Sequence, residues 1–254
     1  MSTVRTLILR APGTNCDEET AFAFRQAGAE TELVHIGQLI RREKKLGDYQ
    51  IMVVPGGFTY GDDLGAGKVL ANEMRLRLGE GIERFIQNGC LIMGICNGFQ
   101  TLVKNDILPG TKGEQRLTLT NNDSGRFECR WVYLRANEKS NCVFTQGIER
   151  LYLPVAHGEG KLVADAATLK EINAALYYTD KEGNRNTAYP YNPNGSMNDI
   201  AGISDASGRI FALMPHPERH IHPSHHPRWT AEGLRKEGDG LKIFRNAVEW
   251  IKGI

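Results

Sequence analysis

The chain has 254 residues, with 31 Lys and Arg against 30 Asp and Glu, so no net field directs it to nucleic acid or to an anionic membrane. Its apolar runs, such as residues 51–55, fall far short of the ~20 residues that span a bilayer, and residues 3–9 are too short and too interrupted by Arg5 for a secretory leader. The length suits one domain over residues 1–254, and five cysteines (Cys16, Cys90, Cys96, Cys129, Cys142) without regular spacing suit reduced thiols in the cytosol rather than a disulfide framework.

Residues 4–10 read as a first strand, 12–15 as a tight turn, and 17–27 as a helix whose first turn carries Asp17, Glu18 and Glu19, where carboxylates meet the positive end of the helix dipole. Residues 31–36 give a second strand. After the charged stretch 41–45, residues 49–55 are mainly apolar and β-branched, as in a strand covered on both faces. A glycine-rich loop, Gly56-Gly57-Phe58-Thr59-Tyr60-Gly61, leads into a helix over residues 69–87. The run Cys90-Leu91-Ile92-Met93 then predicts another buried strand, which enters Gly94-Ile95-Cys96-Asn97-Gly98 and turns sharply into a helix. Strands alternating with helices argue for a parallel sheet covered on both sides. From residue 117 the pattern changes. Residues 126–134 and 151–155 read as strands with no long helix between them, 189–196 as a loop, 200–203 and 209–213 as short strands, and 241–252 as a closing helix. The fold class expected is therefore α/β, with a mixed, mainly parallel open sheet covered by helices on both faces.

A cysteine at the start of a helix is surrounded by unpaired N–H groups and positive partial charge, which favour the thiolate. Taken alone, Gly-x-Cys-x-Gly also suits a buried structural thiol. Far downstream, Met214-Pro215-His216-Pro217-Glu218 follows an apolar strand, and in an extended segment residues two apart face the same side. His216 and Glu218 thus read as a base and its orienter for Cys96, a triad assembled from distant parts of the chain. In open α/β sheets the functional crevice lies beyond the carboxyl ends of strands, where Gly56-Gly57 and Cys96 both fall. The amides of Gly57 and Asn97 are accordingly candidate donors to a tetrahedral oxyanion.

With Pro12-Gly13-Thr14-Asn15-Cys16-Asp17, Pro55-Gly56-Gly57-Phe58-Thr59-Tyr60-Gly61-Asp62, Gly94 to Gln100, Ala156-His157-Gly158-Glu159-Gly160, Asn192 to Ser196 and Pro215 to Arg219, the chain resembles the class I glutamine amidotransferases over nearly its whole length. It is most similar to those members whose ammonia enters purine synthesis. The resemblance implies a flavodoxin-like sheet and glutamine as substrate. It implies that Cys96 attacks the glutamine amide, that His216 and Glu218 act with it, and that Gln100 and His157 lie against the bound glutamine. It also implies a synthetase partner that uses ATP and Mg²⁺ to convert formylglycinamide ribonucleotide to its amidine, with a small accessory subunit left open. This chain itself has no Gly-x-x-x-x-Gly-Lys-Ser/Thr loop, so no cofactor is expected on it and nucleotide belongs to the partner.

Residues 63–68 and 122–128 look more like the glutaminase domain of a long fused enzyme, and residues 219–238 exceed the compact form; the chain nonetheless reads as a separate subunit. His220, His222, His225 and His226 invite a metal reading, but Pro223 and Pro227 break any helical pairing between them. A solvated loop without metal is expected there. Cys16, also before a helix, is expected to be a packed thiol at the sheet edge. The alternatives are a glutaminase feeding another acceptor, a catalytically idle binding subunit, and a cysteine hydrolase unrelated to glutamine.

Overall fold

The computed structural model describes residues 3–110, 115–185 and 187–253. Its first half alternates strictly: β1 (Arg5–Arg10), α1 (Asp17–Gln26), β2 (Glu30–His35), α2 (Ile36–Ile40), β3 (Ile51–Val54), α3 (Lys68–Gln87), β4 (Leu91–Ile95) and α4 (Asn97–Lys104). The second half is strand-rich. It comprises β5 (Leu117–Thr120), β6 (Glu128–Ala136), β7 (Arg150–His157), β8 (Lys161–Ala164), α5 (Ala166–Glu171), β9 (Asn173–Thr179), β10 (Ile200–Ser204), β11 (Ile210–Leu213), α6 (Trp229–Glu232) and α7 (Leu241–Lys252).

Nine strands form one sheet in the order β2-β1-β3-β4-β11-β10-β9-β6-β7, while β5 and β8 make a separate pair. Pairing is parallel from β2 across to β11 and antiparallel from β11 to β7, the mixed sheet that the sequence predicts. β3 and β4 are buried at every position, as strands with helices on both faces must be. Helix α1 packs on α7 through Phe24 and Phe244, whose rings meet edge to face at 5.0 Å, and α3 packs on α4. Among the described residues no helix is long and apolar enough to cross a membrane.

Two details of this frame position the site. Strands β4 and β11 are parallel neighbours with Ile95 opposite Leu213, so the residues that follow each strand leave the sheet side by side. The free edge of β7 is sealed from the other direction. The Tyr152 amide donates to Asp239 Oδ2 at 2.8 Å, His220 Nδ1 donates to the Tyr152 carbonyl at 2.7 Å, and the His216 amide donates to the Pro154 carbonyl at 2.8 Å. An edge strand so covered offers no template for another chain, and the same bonds fix the 216–220 segment.

The His-rich segment departs from expectation. His220 and His226 are buried at 0 % and 4 % exposure, with rings 5.1 and 6.2 Å from that of Trp131 on β6. Their rings pack against the β6–β7 edge, so two of the four histidines here are core rather than solvated loop. Residues 161–164 and 173–179, which carry no predicted strand, form β8 and β9.

Helix α4 approaches the sheet so closely that a Cβ at Gly98 would fall 1.8 Å from the Val54 carbonyl oxygen. Because that oxygen belongs to a central strand, it cannot swing away. Gly98→Ala is expected to destabilise the protein by about 1–3 kcal/mol, seen as a fall of several degrees in Tm; an unchanged melting curve would refute the contact.

Candidate active site

The local sequence builds a strained elbow at Cys96. The residue sits at φ 51° and ψ −105° as the N-cap of α4, a conformation costing on the order of 1–3 kcal/mol and characteristic of functional turns. Gly94 and Gly98 make the bend sterically possible, since a Cβ at Gly94 would lie 2.8 Å from the Gly98 carbonyl oxygen. The Cys96 amide bonds the Leu213 carbonyl at 2.8 Å, and its thiol reaches the Ala156 carbonyl at 3.6 Å. The sulfur thus lies between the end of β11 and the edge of β7.

His216 and Glu218 follow β11 on that same side. The sequence reading placed them on one face of an extended segment; the structure instead folds Pro217–Arg219 into a 3₁₀ turn with His216 as its N-cap. Pro217, whose fixed φ suits the first position of a helical turn, starts it. The turn brings His216 Nδ1 to 2.6 Å from Glu218 Oε1, both residues being 2 % exposed. The opposite nitrogen, Nε2, makes no hydrogen bond among the described residues. Burial alone would lower the His216 pKa, but the Glu218 carboxylate and then the Cys96 thiol outweigh it and hold the imidazole well above its usual range. Sulfur, imidazole and carboxylate are therefore electrostatically coupled, an arrangement suited to nucleophilic attack with proton transfer.

The glycine loop closes over this site from β3. Gly57, at φ 150°, bridges Thr14 in antiparallel fashion, and a Cβ on it would lie 2.8 Å from the Gly13 carbonyl oxygen. Neither the Gly57 nor the Asn97 amide donates to a turn or loop carbonyl among the described residues. The Asn97 side chain ties the loop to α4. Its Oδ1 accepts from the Thr59 hydroxyl at 2.6 Å, and its Nδ2 donates to Asp62 Oδ1 and Gln100 Oε1, each at 3.0 Å. Burial raises the Asp62 pKa. Lys104 donates to the Ala66 carbonyl at 2.6 Å and has its pKa lowered by burial.

Gln100 and His157 both make hydrogen bonds within the chain. Gln100 Nε2 donates to the Glu159 carbonyl at 2.6 Å, so with its Oε1 held by Asn97 the side chain braces the 157–160 segment. His157 Nδ1 donates to Asn122 Oδ1 at 3.1 Å, while Nε2 faces Asn194 Nδ2 at 3.5 Å. Burial, followed by the nearby His216, lowers its pKa to about 3, and it stays neutral behind the triad. Sequence reading assigned no role to Asn122 or Asn194. Both lie in polar, turn-rich stretches, and Asn194 also belongs to the Asn192–Ser196 stretch that carries the family resemblance, but neither signal distinguishes a buried bracket from a surface loop. Cys16, expected as a packed thiol at the sheet edge, stands beside the His216 turn.

Three comparisons bear on this geometry. Residues 3–251 match the family model described as CobB/CobQ-like glutamine amidotransferase domain. The phosphoribosylformylglycinamidine synthase subunit PurQ of Dehalococcoides mccartyi is 65 % identical over 255 residues, covering 100 % of both chains, and that of Methanococcus maripaludis is 46 % identical over 265 residues, covering 97 % of both. Among solved structures, a chain of PurLQS from Thermotoga maritima superposes with a TM-score of 0.77 at 32 % identity, covering 98 % of this chain and 100 % of that one.

Proposed function

Because the chain belongs to the CobB/CobQ-like glutamine amidotransferase family, we propose that it is the glutaminase subunit of a phosphoribosylformylglycinamidine synthase, hydrolysing glutamine to glutamate and passing the ammonia to a synthetase. The observation that carries the mechanism is the parallel register of β4 and β11, which sends Cys96 and His216 out of adjacent strand ends.

In this reading the Cys96 sulfur attacks the side-chain carbonyl carbon of glutamine, and the oxygen that becomes negative is taken by the Gly57 and Asn97 amides. His216 delivers a proton to the departing nitrogen, releasing ammonia and leaving a glutamyl thioester on Cys96. A water then gives a proton to His216, attacks the thioester and frees glutamate, and the sulfur is regenerated. Glu218 holds the ring and offsets its charge. Relatives of this chain bear the name of the synthase subunit along their whole length, which supports formylglycinamide ribonucleotide as the acceptor on a partner synthetase with ATP and Mg²⁺. A small accessory chain and a cytoplasmic setting complete the proposal.

The test combines the purified chain with the synthetase of the same cell, ATP, Mg²⁺ and the ribonucleotide. Glutamine-dependent amidine formation is expected. Glutamine hydrolysis without amidine, in a mixture that does make amidine from ammonium salt, would point to a different acceptor; no hydrolysis at all would favour an idle subunit.

A further inference from the structure

The triad leaves Cys16 idle, yet its surroundings are built around the triad. The residue is 1 % exposed; its sulfur accepts from Arg219 Nη2 at 3.1 Å and gives its proton toward Asn15 Oδ1 at 3.2 Å. Arg219 is held in turn by Glu19 of α1, Nε to Oε1 at 2.9 Å. On the other side the Cys16 sulfur, a ring nitrogen of His216 and a carboxylate oxygen of Glu218 all lie within 4.8 Å of one another. Gly56 shows how tight this contact is: a Cβ there would be 2.9 Å from His216 Cε1 and 3.1 Å from the Cys16 sulfur. The Cys16 amide bonds the Gly56 carbonyl at 3.2 Å, so the backbone fixes the sulfur beside the ring.

We propose that Cys16 is a positioning residue for His216, its sulfur, held in place by Arg219 and with its thiol proton directed at Asn15, cradling the ring in its protonated form opposite Cys96. The inference rests on the reading of His216 as the acid–base group. An imidazolium is positive around its whole rim, and a large polarisable sulfur can meet that rim without a directed bond. The groups facing the ring are Glu218 from its own turn, Cys96 from the β4–α4 elbow, Cys16 from the start of α1, and His157 from the end of β7. His157 is neutral, and Arg219 addresses the Cys16 sulfur rather than the ring. Burial raises the Cys16 pKa against the pull of His216 and Arg219, so this thiol stays uncharged and does not compete as a nucleophile.

The experiment measures, in the full chain, the pH dependence of Cys96 labelling by a glutamine-analogue chloroketone, with peptide mass spectrometry separating Cys96 from Cys16, alongside kcat and KM for glutamine. Wild type, Cys16→Ala, Cys16→Ser and Arg219→Gln are compared. Weakening the protonated ring disfavours the thiolate–imidazolium pair. The labelling inflection of Cys16→Ala should therefore move up by about 0.5–1 pH unit, with kcat down about 3–10-fold at neutral pH and KM little changed. Cys16→Ser, which keeps a donor and an acceptor, should recover part of the shift, whereas Arg219→Gln, which removes a cation and keeps the sulfur, should not raise the inflection. Cys16→Ser also covers the case in which Cys16→Ala fails to fold. A lowered Tm with the wild-type inflection and kcat in Cys16→Ala, or in Cys16→Ser if the first does not fold, would reduce Cys16 to packing and overturn the proposal. Absence of labelling at Cys96 in the wild type would instead overturn the catalytic reading, and this one with it.

Discussion

Replacing Cys96 by alanine should remove glutamine hydrolysis, by about 10⁴–10⁶-fold in kcat, while the protein stays folded. The sulfur is the atom that forms the covalent bond in the proposed chemistry, and no neighbouring group can take its place: Cys16 is a buried thiol whose pKa burial raises. Little stability should be lost. The thiol makes one long contact, 3.6 Å to the Ala156 carbonyl, and alanine occupies the φ 51° elbow at the same steric cost as cysteine. In complex with its synthetase, the variant should still support amidine formation from ammonium salt, because only the source of ammonia has been cut. Cys96→Ser should be nearly as inactive, since a hydroxyl beside the same imidazole does not ionise as a thiol does. The measurements are the glutaminase rate, the ammonia-driven rate and Tm. Retention of more than a few per cent of hydrolysis in a folded Cys96→Ala would sink the nucleophile assignment.

The parts of this molecule that could be read from the sequence are those where one local rule dominates. The β4–α4 elbow was visible because glycines flank Cys96 at positions where any Cβ would strike backbone. The closing helix was visible because its apolar face recurs at helical spacing, and it runs over Leu241–Lys252 as predicted. β8 was missed because its four residues, Lys161–Ala164, include a lysine and lack the continuous apolar run that marks the equally short β3 and β11. β9 was missed because Ala174, Ala175 and Leu176 are all buried, so the strand shows no alternation and resembles a helix.

The site shows the same division. That Cys96 and His216 emerge together depends on the β4–β11 register, a long-range pairing that no local pattern records. The meeting of His216 with Glu218 was foreseen for a different reason than the one observed, since a proline-initiated turn rather than strand alternation brings them to 2.6 Å. The His-rich segment misled because histidine counts as polar in composition, whereas His220 and His226 pack their rings edge-on and tilted against Trp131 to close an edge. Cys16 is the packed thiol that was expected, but its neighbour was not legible, because only tertiary structure sets the start of α1 beside a turn two hundred residues away.

Glu218→Gln, which keeps the shape and removes the charge, should lower kcat by about 10²–10⁴-fold with little change in KM. One carboxylate oxygen bonds His216 Nδ1 at 2.6 Å, and the other has no hydrogen-bond partner among the described residues, so its one hydrogen bond is to the ring. Burial is already the largest single influence on His216, and without the carboxylate it loses its main counterweight and pulls the pKa down. The sign of the pH effect follows. In the wild type a raised pKa keeps the ring protonated, and able to protonate the leaving nitrogen, to higher pH; in the variant that form is lost earlier, so the alkaline limb of kcat/KM shifts to lower pH. A carboxamide that turns its N–H₂ toward Nδ1 would also drive the proton to Nε2, the nitrogen that must accept from Cys96. Glu218→Asp should recover part of the rate, limited by the distance its shorter side chain leaves to the ring. A folded Glu218→Gln with an unmoved alkaline limb would mean that the carboxylate is only packing, and that some other group sets the basicity of His216.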